Sequence, residues 1–190
     1  MKHELSNMMC LDIYLSSLSA HEYKRIHPEL QPVNTQNTGL ISWDIISDSY
    51  TKKLENLRLA CDKEKVKAFA RKARWENKLD AIFKNETFEA IIITNLEQKI
   101  LWVNSGFTTM TGYTKKDALN KTPNFLQGQQ TSKETKKNIR KNLNNLKPFT
   151  EIVTNYRKDK STYACEVKIF PMYNALGVTH FLALEKQVGQ

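Results

Sequence analysis

Glu89-Ala-Ile-Ile-Ile-Thr-Asn95, followed after a polar turn by Lys99-Ile-Leu-Trp-Val-Asn104, is where the chain changes its period. Upstream, apolar residues recur at helical spacing. Here they are β-branched, contiguous and short, which predicts the two strands of a hairpin. Downstream, Ser105–Thr111 and Lys115–Leu119 read as short helices on either side of the Thr-Gly-Tyr turn at 111–113, and Thr131–Leu146 as a longer basic helix. Three further strands close the chain, at Phe149–Tyr156, Ser161–Phe170 and Thr179–Lys186. Two strands, a block of helices and three strands joined by short turns predict an α+β fold. It is a five-stranded antiparallel sheet with helices packed on one face.

The first eighty residues read as helical. Ser19-Ala-His-Glu22 has the form of a capping box, in which a Ser hydroxyl and a Glu three residues on satisfy each other's backbone groups. Pro28 and Pro32 would close that short helix, and a loop would run to about Gly39. Ile45, Ile46, Tyr50, Leu54, Leu57 and Leu59 predict one helix over 42–62. Val66, Phe69, Ala70, Ala73 and Leu79 predict a second, ending near Phe83. Such stripes need a partner surface, either the second half of the chain or another copy. The expected division is therefore a helical N-terminal extension over 1–82 and an α+β domain over 83–190.

The length of 190 residues suits one domain and an extension, and 40% hydrophobic with 26% charged residues excludes wholesale disorder. No apolar run approaches the roughly 20 residues of a membrane-spanning helix. Met1-Lys2-His3-Glu4 opens no apolar signal core, and Cys10, Cys61 and Cys165 are few and far apart, so a reducing, cytoplasmic location is expected. The formal charge of +9 is uneven. Residues 114–147 hold nine Lys and Arg against two Asp and Glu, a patch that could attract phosphate or an acidic surface. No aromatic residues interleave with Arg there, so a solvated helix face is the simpler account and nucleic acid is not the expected partner.

That element order, with Trp102-Val-Asn104, Phe107, Thr111-Gly-Tyr113 and Asn155-Tyr-Arg-Lys-Asp159 in place, resembles a PAS sensory domain over roughly 84–187. Within it, Phe125-Leu-Gln-Gly128 matches the tail of the fingerprint of LOV domains, the flavin-binding blue-light branch of that family. The family pattern is G-x-N-C-R-F-L-Q-G, and this chain has Asn120-Lys-Thr-Pro-Asn-Phe-Leu-Gln-Gly128. The resemblance implies FMN as a cofactor and assigns roles by position. Asn155 would meet the polar edge of the ring, Gln127 is retained, and Arg140 would pair with the phosphate through charge-assisted bonds. The departures are as specific. Pro123 stands where the adduct-forming cysteine would be and carries no nucleophile. Thr122 replaces the fingerprint Asn, Asn124 the second phosphate Arg, and Cys165 the second ring-binding Asn. The last-strand Gln falls, with a one-residue gap, near Glu185, where a carboxylate would need desolvating or protonating.

Each of these residues also has a plain structural use. Asn104 and Asn155 can cap a helix or close a turn, Gln127 and Arg140 can bond backbone or solvent, and Cys165 can be a small core residue. Phe107, Phe125, Phe170 and Phe181 read as core. His3, His21, His27 and His180 have no metal-ligand spacing. No nucleotide-loop, nucleophile-elbow or zinc-protease motif is present, and no acid–base pair stands out, so no enzymatic activity is expected. The leading expectation is a sensory module that detects a small ligand, a redox state or a partner and signals through protein contacts or a homodimer. The alternatives are a cysteine-less flavoprotein photosensor, with Trp102 or Tyr113 as electron donor, and a weak, salt-sensitive nucleic-acid binder.

Overall fold

The computed structural model describes Ser19, His21 and residues 43–189, with side chains of the continuous stretch placed from Thr51 onward. The capping box at 19–22 and the helix and loop expected after it lie outside the described residues. Leu54–Gln190 forms one compact unit.

Helix α1 spans Trp43–Ala73 and α2 spans Leu79–Asn85. The expected break near Asp62 does not occur; α1 runs through it, and the chain breaks at Arg74 instead. Arg74 adopts φ 56°, the left-handed conformation usually given to glycine after a helix. The Arg74 N–H donates to Arg71 carbonyl (3.3 Å) and the Trp75 N–H to Ala70 carbonyl (2.9 Å), a Schellman pair that satisfies the last carbonyls. Trp75 then packs on Phe69, ring centroids 5.3 Å apart, as the apolar clasp of that motif.

The sheet holds β1 (Ala90–Asn95), β2 (Ile100–Val103), β3 (Phe149–Tyr156), β4 (Thr162–Asn174) and β5 (Gly177–Val188), in spatial order β2-β1-β5-β4-β3, with every neighbouring pair antiparallel. The α+β expectation and the hairpin are met. Strands β4 and β5 are longer than the sequence implied. β3 pairs with β4 only as far as Ile169, so Pro171 faces an open edge where its missing N–H costs no ladder bond.

Between β2 and β3 lie α3 (Ser105–Thr111), α4 (Lys115–Ala118), a 3-10 turn (Pro123–Leu126) and α5 (Lys133–Asn144). Their caps are local. Thr114 and Asp117 form a reciprocal capping box on α4, and Ser132 accepts from Glu134 and Thr135 N–H at the start of α5. Asn104 does more than cap α3. Its Oδ1 accepts from Phe107 N–H and Ile91 N–H, both 3.0 Å, while Nδ2 donates to Glu89 carbonyl at 3.2 Å. Gly106 lets the start of β1 approach α3, since a Cβ there would lie 1.8 Å from the Glu89 carbonyl oxygen.

The sheet is buried on both faces. On the front, Ala90, Ile92, Val153, Val167 and Ala183 pack with Phe107, Met110 and Leu126. On the back, Ile91, Ile93, Leu182 and Leu184 pack with Val66 and Ala70 of α1 and Leu79 and Phe83 of α2. This two-sided burial explains why β1 reads as an unbroken apolar run. The partner of the apolar residues from Val66 to Phe83 on α1 and α2 is thus the back of this chain's own sheet.

Candidate functional site

Between the front of the sheet, the Pro123–Leu126 turn and α5 lies a cavity of about 80 Å³. Ile92, Leu126, Ile139, Val153, Val167, Ile169 and Phe181 give it apolar walls, and its polar lining is Thr94, Gln98, Asn124, Gln127, Asn155 and Glu185.

The loop carrying Gln127 is pinned to β3. Gln127 and Asn155 form an antiparallel backbone bridge. Thr131 Oγ1 donates to Thr154 carbonyl at 2.6 Å and accepts from Gly128 N–H at 3.0 Å, and Gln130 N–H donates to Tyr156 Oη at 2.9 Å. Gly128 is required by close approach, because a Cβ would sit 2.4 Å from the Tyr156 ring. These bonds place Gln127 and Asn155 side by side on the cavity wall. Asn155 is 5% exposed and lies within β3, so it does not close a turn.

Strand alternation on β5 brings Phe181, Ala183 and Glu185 to the cavity side, while Leu182 and Leu184 join the back core. Glu185 is 4% exposed, flanked in register by Ala90 and Val167, and its Oε2 has no hydrogen-bond partner among the described residues. Burial pushes its carboxyl up to about 7, with a smaller opposing effect from the Cys165 thiol. The Tyr163 hydroxyl, buried in the same front layer, is likewise unpartnered among the described residues. Burial holds the Tyr163 phenol and the Cys165 thiol well above their ordinary values, so both are neutral near pH 7.

Of the residues singled out in the sequence, Gln127, Asn155, Asn124 and Glu185 meet at the cavity, and Pro123 lines it as the first residue of the 3-10 turn. The others are elsewhere. Thr122 precedes the turn without capping it by a side-chain bond. Cys165 is fully buried in the front core, its Sγ directed to Glu166 carbonyl at 3.8 Å, and is not on the lining. Arg140 is exposed on α5, where its neighbour Ile139 takes the cavity position. Trp102 packs with the back core, on the face opposite the cavity, whereas Tyr113 stacks edge-on against Phe125 at 5.0 Å beside the turn. Tyr163 went unnoticed in the sequence, although the period of two from Cys165 puts it on the same face of β4.

This donor set fits one part of a flavin and not the rest. Asn155 and Gln127 suit a polar ring edge. A carboxylate at 185, a thiol buried away at 165 and an Arg140 off the lining do not supply the other contacts.

A family model described as a PAS domain matches residues 89–185, half of the chain. The chain belongs to the PAS domain family. Among relatives, it is 37% identical over 116 residues to a blue-light photoreceptor of Listeria innocua, covering 58% of this chain and 46% of that protein. The Listeria monocytogenes blue-light photoreceptor is 38% identical over 114 residues, covering 57% and 45%. The chain thus spans about half the length of the curated relatives it matches. Among solved structures, a light-oxygen-voltage domain studied with a flavin analogue superposes with a TM-score of 0.53 at 27% identity, covering 59% of this chain and 84% of that one. The dark structure of the Aureochrome1 LOV photoreceptor gives 0.56 at 21% identity, covering 60% and 86%. This PAS domain is LOV-like in sequence and fold, and its relatives support a role in sensory signalling.

Proposed function

We propose that this PAS domain is a non-enzymatic sensory module whose front cavity takes a small ligand and whose strand β5 passes occupancy to α1 and α2. The observation that carries this reading is the alternation along β5. Ala183 and Glu185 line the cavity, and the residues between and before them, Leu184 and Leu182, pack on the helices behind the sheet. A displacement of β5 by a ligand is therefore felt by Val66, Ala70, Leu79 and Phe83 without any intervening layer. Leu54 and Leu57 stay exposed on α1, a surface suited to a protein partner or a second copy. Signalling would then run through protein contacts as the helices shift between two packings. Among the described residues no helix is long and apolar enough to cross a membrane.

Ala183→Met tests the coupling by filling the cavity from β5. Hydrogen exchange of the full chain should change in α1 over 63–73 as well as around the cavity. A change confined to the front face sinks the proposal.

A second reading is a flavoprotein photosensor without a cysteine adduct, favoured by Asn155 and Gln127 on the cavity wall. FMN would supply blue-light absorption if the cavity of about 80 Å³ opened to admit it, while this chain's part would be to hold the ring edge through the two amides. The near-ultraviolet and blue absorption spectrum of the purified protein, with and without added FMN, decides it. A colourless protein that leaves added FMN free removes this reading.

A further inference from the structure

The proposal below rests on the sensory reading and gives its ligand a chemical class. Glu185 lies in an apolar cavity with one carboxylate oxygen bonded to nothing among the described residues. No Lys or Arg among them forms an ion pair with it; Lys168, the nearest in the ladder to be paired, is held by Glu86 and Glu166. An ionised carboxylate so placed needs N–H donors, because burying it unpaired is costly and an opposite charge offsets that cost. Beside it, the Asn155 and Gln127 amides each offer a carbonyl acceptor and an NH2 donor. Two carbonyls and a carboxylate around one space favour a molecule rich in N–H. An anion would meet the Glu185 charge, and Arg140 is exposed and off the lining. The volume limits size. About 80 Å³ is well below the roughly 300 Å³ at which pockets for drug-sized ligands begin.

We infer that the cavity binds a small planar amidine- or guanidine-type cation, its N–H fork on the Glu185 carboxylate and its remaining N–H groups toward the Asn155 and Gln127 carbonyls. A planar fork of parallel N–H donors matches a carboxylate with two charge-assisted bonds, which a neutral amide of the same shape cannot do.

The test uses acetamidinium chloride on the full-length chain, with acetamide and acetate as shape-matched neutral and anionic probes. Binding is read from the side-chain amide NMR signals of Asn155 and Gln127 and from thermal shift. Acetamidinium should give saturable shifts at both amides, with affinity at least about tenfold above acetamide, and acetate none. Glu185→Gln should erase that preference, and Val153→Met, which fills the cavity from β3, should abolish binding with Glu185 still present. Equal responses to the three probes in the unmodified chain, or no saturable shift at all, overturn the proposal even if neither variant folds. The sensory reading is judged separately. If acetamidinium is ignored while Ala183→Met still alters exchange in α1, the ligand class falls and the coupling stands. If acetamidinium binds and Ala183→Met leaves α1 exchange unmoved, the coupling falls and the ligand class stands.

Discussion

Glu185→Gln should change how the stability of the protein depends on pH. Burial raises the Glu185 carboxyl from an ordinary 4.5 to about 7, so the folded chain holds a proton that the unfolded chain releases. Below about pH 4.5 the group is protonated in both states and contributes no penalty. As pH rises from there the unfolded state ionises first, and stability falls until the folded carboxyl also ionises near 7. Above that the penalty is constant. The gap between 4.5 and about 7, at about 1.4 kcal/mol per pH unit, amounts to about 3 kcal/mol. Gln has the same shape and no charge to desolvate, so the variant should lack this slope. Urea unfolding of both proteins at several values across that window gives the difference directly. His180, which burial pushes downward, titrates in both proteins and cancels. The reasoning is refuted if the two stability profiles run parallel between about pH 4.5 and 7.5, within the window set by linkage.

Asn104→Ala removes three hydrogen bonds, two of them buried, and leaves Ile91 N–H and Phe107 N–H without that partner; at about 1 kcal/mol or more for each buried bond, a loss of about 2–3 kcal/mol is expected in urea unfolding. Gly106→Ala forces its Cβ against the Glu89 carbonyl and should lower the melting temperature sharply, or leave the chain insoluble, whereas Gly189→Ala, with open space around it, should be neutral. Trp75→Phe keeps the apolar clasp and loses the 3.2 Å bond from Nε1 to His180 Nδ1, which only an unprotonated Nδ1 can accept. It should cost about 1 kcal/mol. An NMR titration should find the His180 imidazole easier to protonate than in the parent chain; no change would show that burial alone sets it.

Most of the architecture was legible because each element carries its own local signal. The β-branched run at 90–95 and the Thr111-Gly112-Tyr113 stop define elements by physics that acts within a few residues. What was missed depended on distant partners. The end of α1 falls at Arg74, a residue type that announces no stop, because Trp75 finds Phe69 and His180 to pack against. The extra residues of β4, Pro171 to Asn174, are strand because they pair with the opening residues of β5, Gly177 to Phe181. At the site, Glu185 and Asn155 could be placed from the motif, since strand alternation decides their face. Arg140 could not, because one step around α5 separates a cavity position at Ile139 from solvent. Whether Cys165 faces a ligand or a core likewise depends on how the sheet closes over the helices.

Strand β5 is hydrogen-bonded along both edges, to β1 and to β4. A slide by one residue would therefore break two ladders at once, and it would turn every side chain over, setting Glu185 against the helices and Leu184 into the cavity. Such a slide is closed to this protein as a signal. The motions left to it are those in which the strand tilts or twists as a stiff lever with its neighbours, and a lever in the middle of a sheet moves both edges together. Any ligand that works through β5 must therefore also be felt at the β1–β2 hairpin and at β3, the two outer arms of the same sheet.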